Sequence, residues 1–287
     1  MRKYEYLAPA TLDEVYQAVA ANAGKEIKLV AGGTDFMPRL TQELNTIPTG
    51  EKPDMLIINL MKLGLDKVED CGDTVKIGAC CTLTDLAENE IIQKEYPVLC
   101  QAIAEIAGLT VRNTGTIGGN IGNASPAADS VPALVALDAK FVVASAAGEK
   151  EYEAEKFFVG PGKTVLETGD VLTAIVIGKK TGKACFKKLG RRKAETLSTV
   201  NAAAYVEAEG GVCKAVRVAI GAVAPTVVRC TEVEAALIGK ELTAENIAAA
   251  AEKVLGQISP IDDIRASAWY RNKIAPVMVK RVIENAI

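Results

Sequence analysis

Apolar positions recur along the chain with two spacings. Alternating or continuous apolar runs at residues 27–31, 55–60, 74–79, 141–144 and 171–177 predict strands, and a further run opens the chain near residue 4. Helical spacing predicts helices over residues 11–24, 36–44, 82–89 and 97–107. Val15, Ala18 and Val19 form the buried stripe of the first, and Leu99, Ile103 and Ile106 that of the last. Thr11 with Glu14 three residues on is a capping-box pattern. The turn at 160–162 (Gly-Pro-Gly) is expected between strands 141–144 and 171–177. Beyond the charged, glycine-containing stretch 178–182 the pattern changes. Strands over 184–188, 200–207 and 212–219, the last two joined by Glu209-Gly210-Gly211, precede helices over 230–237, 243–255 and 267–285. That order predicts a three-stranded sheet with helices as a separate α+β unit.

The stretch 110–139, TVRNTGTIGGNIGNASPAADSVPALVALDA, stands apart from this pattern. Gly115, Gly118, Gly119 and Gly122 allow positive φ and leave N–H groups open to a ligand. Ser125-Pro126 reads as a helix N-cap and first helical residue, and Val131, Leu134 and Val135 as that helix's inner face. Unpaired N–H groups at such a helix mouth favour an anion, so a phosphate-bearing cofactor is the first functional reading. A turn that only closes a sheet onto a helix is the other. The spacing is neither GxGxxG nor a Walker A loop. A second glycine turn, Gly32-Gly33-Thr34-Asp35 after strand 27–31, repeats the design, and two such turns suit a diphosphate. Asp35 repels phosphate, so its expected role is a helix N-terminal charge or a backbone bond.

Composition narrows the chemistry. The 287 residues are 49% hydrophobic and 24% charged, as in a globular protein with two or three domains. Net charge is −3 without a basic block, which argues against nucleic acid or an anionic membrane as partner. The N-terminus lacks the apolar core of a secretory signal, and no window reaches the roughly 18 apolar residues of a membrane span. Seven scattered cysteines without a CxxC read as reduced core thiols of a cytoplasmic protein. The chain has no histidine, so histidine-based nucleophilic catalysis is absent, a zinc site is not expected, and any chemistry falls to a cofactor. Lys187-Lys188 and Arg191-Arg192-Lys193 form one positive cluster, read as a solvated loop, a cofactor contact or a docking surface.

LVAGGTDFMPRL, VRNTGTIGGNIGNASPAADSVPALVALDA, FKKLGRRKAETLSTVNAAA, AIGAVAPTVVRCTEVEAAL and RASAWYRNKIAPVMVKRVI together resemble the FAD-binding (medium) subunit of the molybdenum hydroxylases. These are enzymes of the xanthine, carbon monoxide and nicotinate dehydrogenase type. The resemblance implies an α+β chain: a two-subdomain FAD-binding fold of the PCMH/VAO type over 1–58 and 59–179, then a small C-terminal domain over 180–287. By resemblance, Leu29, Val30, Ala31, Gly32, Gly33, Thr34, Asp35 and Phe36 wrap the FAD diphosphate. Thr116, Ile117, Gly118, Gly119 and Asn120 complete the cradle. Asp129 would meet ribityl or ribose hydroxyls, Leu172 and Lys187 the flavin or adenine, and Ala107 would lie near the ring. No residue is read as a catalytic acid or base, and no metal ligand is expected.

The resemblance further implies a relay. Substrate is oxidised at a molybdenum cofactor in a large subunit, and electrons cross two [2Fe–2S] clusters of a small subunit to FAD and then NAD⁺ or another acceptor, in a dimer of heterotrimers. No cysteine-rich insertion is present, so no [4Fe–4S] cluster is expected in this chain, and Ile106 takes the position of a flavin-shielding aromatic. A stand-alone FAD-dependent oxidoreductase and a cofactor-free scaffold are the competing readings.

Overall fold

The computed structural model describes residues 3–46 and 53–287. Three principal sheets lie along the chain. The first is parallel, with Met55–Asn59 between Tyr4–Leu7 and Glu26–Val30. Helix Leu12–Ala21 connects its outer strands and buries Val15 against Leu56, Ile58 and Val171. Thr11 Oγ1 accepts from the Glu14 N–H at 3.3 Å, while the Glu14 carboxylate accepts from the Ala10 N–H at 2.7 Å. The return bond of the capping box has moved by one residue. Helix Phe36–Thr46 runs two residues beyond expectation, and Pro38 sits in its first turn.

The second sheet is antiparallel, in the order Val68–Asp70, Thr74–Gly78, Val171–Gly178, Lys140–Ser145, Gly148–Glu153. The last of these in sequence, Val171–Gly178, lies in the middle. Ile77, Phe141 and Ile175 meet Leu99, Ile103 and Leu134 from helices Pro97–Ala104 and Ser130–Ala136 in one core. The third sheet pairs Lys183–Gly190, Ser198–Glu209, Val212–Gly221 and Val228–Arg229. It is buried on both faces. Ala203 and Ala219 join the core of the second sheet, while Val200, Ala202, Ala204 and Val206 pack under the C-terminal helices. That explains the unbroken apolar run 202–206, which a one-sided strand would not show. Gly210 and Gly211, at φ +57° and +81°, turn the hairpin between its two long strands.

Four expectations are corrected. The C-terminal sheet has four strands rather than three, because the two-residue strand Val228–Arg229 pairs with residues 219 and 220. The Gly-Pro-Gly turn closes its own small hairpin, Phe158–Gly160 with Lys163–Thr164. Cys71 is exposed and Cys100 half-buried, so the thiols are not all core. Ser125-Pro126 does not start a helix. Ser125 Oγ accepts from the Ala127 N–H, Pro126 O accepts from the Ala222 N–H, and the helix begins at Ser130. This turn is held by the C-terminal sheet, a tie that local sequence does not carry.

Candidate cofactor-binding site

Strand Glu26–Val30 ends in the Gly32-Gly33 turn. Gly33, at φ +68°, reverses the chain so that helix Phe36–Thr46 can start. The N–H groups of Gly32, Gly33, Thr34 and Asp35 donate to no protein acceptor among the described residues. Four consecutive donors left open at one place need a partner from outside the fold.

The second glycine segment faces this turn. Thr116 caps the short helix Ile117–Gly122, its Oγ1 accepting from the Gly119 N–H at 3.0 Å. None of Gly115, Gly118, Gly119 and Gly122 has a positive φ, contrary to the reading of these glycines as unusual backbone conformations. Their absent side chains matter instead for close approach. A Cβ on Gly118 would stand 2.6 Å from Ala79 O, and one on Gly115 2.9 Å from Val111 O. A Cβ on Gly32 would collide with the Thr114 carbonyl oxygen and lie 3.0 Å from Gly115 Cα. The two loops therefore touch backbone to backbone.

Between them opens a cleft of about 680 Å³, within the size range of small-molecule sites. Leu29, Val30, Ala31, Gly32, Gly33, Thr34, Asp35 and Phe36 line it from one side. Thr116, Gly118, Gly119 and Asn120 line it from the other, and Leu172 also reaches it. The Asp35 carboxylate is held at 2.7 Å by Arg39, one turn on, which answers its apparent conflict with an anion. Arg39 also donates to Asn123 Oδ1 at 3.4 Å and so spans the two glycine segments. Sequence reasoning missed Arg39 in this role, although its i,i+4 spacing from Asp35 was a usable signal. It also missed the cleft residues Glu167, Gly169 and Asp170, where Gly169 at φ +95° marks a turn. Cys80 lines the cleft and Cys81 lies beside it. Burial pushes their thiols up to about 11 and about 12, so neither is a nucleophile at neutral pH.

Four expected site residues lie off the cleft wall. Ile117 is fully buried, and its N–H donates to Cys81 O. Ala107 sits at φ +44°, its carbonyl and that of Ile106 both held by Arg112, and it is Ile106 that lines the cleft. Lys187 is exposed on its strand. Asp129 is 5% exposed and saturated with donors: Lys188 Nζ at 2.6 Å, Ser198 Oγ at 2.5 Å and Asn201 Nδ2 at 2.7 Å. Lys188 also donates to Glu105 O, so one ammonium joins the end of helix Pro97–Ala104, the start of helix Ser130–Ala136 and the third sheet. Strand alternation explains why Lys188, not Lys187, turns inward.

The family profile described as "FAD binding domain in molybdopterin dehydrogenase" matches residues 2–179. The chain belongs to this family. A second profile, "CO dehydrogenase flavoprotein C-terminal domain", matches residues 184–286 of this molybdopterin dehydrogenase flavin-domain protein. It is 33% identical to the xanthine dehydrogenase FAD-binding subunit of Escherichia coli O157:H7, over 98% of this chain and 95% of that one. It is 32% identical to the carbon monoxide dehydrogenase medium chain of Hydrogenophaga pseudoflava, over 99% and 97%. A solved structure of carbon monoxide dehydrogenase from Hydrogenophaga pseudoflava superposes with a TM-score of 0.92 at 32% identity, covering 99% of this chain and 97% of that chain. The open donors of residues 32–35 and the side-chain-free contact at Gly32 fit the diphosphate of FAD. No helix among the described residues is long and apolar enough to cross a membrane.

Proposed function

We propose that this chain is the FAD-carrying electron-transfer subunit of a molybdenum hydroxylase complex, placed between [2Fe–2S] clusters of a small subunit and NAD⁺ or another acceptor. The observation that carries this reading is the run of four open N–H donors at Gly32, Gly33, Thr34 and Asp35 facing the segment that starts at Thr116. They would hold the diphosphate, with Gly119 giving it room, Gly118 letting its segment lie against Ala79 and Leu172 packing against the rings. Bound there, FAD supplies exchange between one-electron and two-electron carriers. The chain's own residues bind and orient. With no histidine and with Cys80 held as a thiol, no side chain on the cleft wall is assigned acid or base work. Leu29, Val30, Ala31, Thr34, Asp35, Phe36, Thr116 and Asn120 belong to the same cradle. Ala107, Ile117 and Asp129 support it from behind or beside the wall, and Lys187, exposed on its strand, is proposed as a contact to the flavin or adenine.

The relatives' names, a FAD-binding subunit and a medium chain, support partner subunits; in this proposal those are a large molybdenum subunit and a small iron–sulfur subunit in a dimer of heterotrimers, and the seven thiols support a cytoplasmic setting. Absorption of the purified chain from the near-ultraviolet to the red, followed by heat release, tests the reading. Flavin bands and released FAD are expected, with bleaching by NADH if NAD⁺ is the acceptor. A colourless protein that also fails to bind added FAD overturns it.

A further inference from the structure

By charge, the cleft is a poor match for the ligand that its backbone fits. Among the described residues on its wall, Lys28 and Arg39 stand against five carboxylates, Glu26, Asp35, Glu43, Glu167 and Asp170. A diphosphate is anionic, and open N–H groups at a helix start offer it partial charge only. A full cation close to those donors therefore bears on whether the anion stays.

Arg39 is placed as that cation. It lies one turn beyond Asp35, the last of the four open donors, in helix Phe36–Thr46. Side chains of a helix lean toward its N-terminus, which carries the guanidinium back over the 32–35 turn. Its Nε donates to Asp35 Oδ2 at 2.7 Å, and its Nη2 to Asn123 Oδ1 at 3.4 Å. Asn123 follows helix Ile117–Gly122 and belongs to the opposite wall. One guanidinium thus crosses from the first glycine segment to the second at the solvent edge of the cleft. Lys28 is not placed in this way. It sits four residues before the first open donor and pairs with Glu26 at 3.0 Å.

These partners hold Arg39 only loosely. The side chains of the Arg39–Asp35 pair are 68% and 49% exposed, where ion pairs contribute little, and 3.4 Å is long for a hydrogen bond. Arg39 Nη1 donates to no acceptor among the described residues. The guanidinium fork matches a pair of phosphate oxygens, and such charge-assisted bonds are stronger than neutral ones.

We infer that Arg39 is a direct ligand of the FAD diphosphate, a strap that reaches across the edge of the cleft and donates to phosphate oxygens already held by the N–H groups of residues 32–35. The inference rests on the FAD reading proposed above. It gives Arg39 more than the neutralisation of Asp35, because the same side chain then holds the ligand in place.

The test uses the full chain freed of flavin and titrated with FAD at low and high salt, with flavin fluorescence for affinity, stopped flow for release, and thermal melting of each variant. R39Q is expected to melt like wild type, to bind FAD about ten- to a hundredfold more weakly and to release it faster. Its affinity is expected to depend less on salt than that of wild type. R39K should fall between the two, since an ammonium keeps the charge and loses the fork. The double variant R39Q/D35N separates a contact from mere screening. It is expected to bind FAD as weakly as R39Q. Recovery of wild-type affinity in R39Q/D35N would show that Arg39 only masks Asp35, and that overturns the inference, as does an R39Q chain that binds FAD like wild type. If R39Q melts lower than wild type, R39K takes its place, with a smaller loss in the same direction expected and wild-type affinity overturning the inference. A wild-type chain that fails to bind FAD overturns the proposed function, and this inference with it.

Discussion

Lys188 Nζ lies 2.6 Å from Asp129 Oδ2, with the two side chains 3% and 6% exposed. The pair bridges the segment that follows the glycine centre and the C-terminal sheet. Removing Lys188 leaves the Asp129 carboxylate buried with the neutral donors Ser198 and Asn201 but no counter-charge, and losing one partner of a buried pair typically costs about 3 to 5 kcal/mol. K188M is expected to unfold at lower urea by that order, whereas K187M, one residue away on the exposed face, is expected to match wild type. Equal midpoints for the two variants would show that the pair does not hold these segments together.

Gly118 and Gly122 lie in the same short helix but in different surroundings. A Cβ on Gly118 meets Ala79 backbone, while one on Gly122 meets nothing within 4 Å. G118A is expected to lose about 1 to 3 kcal/mol and to weaken flavin retention. G122A should be neutral or gain less than about 1 kcal/mol. Thermal melting with flavin absorbance reads both.

Much of this was legible in advance. Strand runs, the threonines that open helices and both glycine turns are short-range signals, and the structure holds Thr11, Thr82 and Thr243 as side-chain caps. What sequence could not carry depends on distant partners. Ser125-Pro126 looked like a helix start until Ala222 claimed the Pro126 carbonyl. Lys187 and Lys188 are chemically alike, and only strand phase and the remote Asp129 tell them apart. The need for glycine at Gly32 comes from Thr114, more than eighty positions away in the chain.

Acid should strip away a defined part of the stability. Burial opposes the Asp263 charge, but the Arg265 and Ala266 N–H groups and the Arg271 guanidinium outweigh it and hold the carboxyl down to about 2. The folded value lies below the unfolded one of about 3.9. Its contribution is therefore complete above about pH 4 and lost as pH falls toward 2. D263N is expected to be less stable than wild type at pH 7, with the gap closing across that window in urea titrations at stepped pH. A gap independent of pH would deny the carboxylate this role.

Thiol accessibility separates the cysteines. Cys71 is exposed, whereas burial raises the thiols of Cys80, Cys81, Cys100, Cys185, Cys213 and Cys230. Ellman's reagent on the native protein is expected to release one fast equivalent, lost in C71S, with the rest appearing on denaturation. Several fast equivalents would mean that the core opens readily.

The contact between Gly32 and the Thr114 carbonyl welds the two walls of the cleft into one piece. A mould of this kind is cast before its ligand arrives. Filling it should cost little ordering entropy, and emptying it should leave amide exchange at residues 117–121 nearly unchanged. Selectivity then comes from rejecting what does not match, and a ligand with a bulkier linkage than a diphosphate would find no wall able to step back.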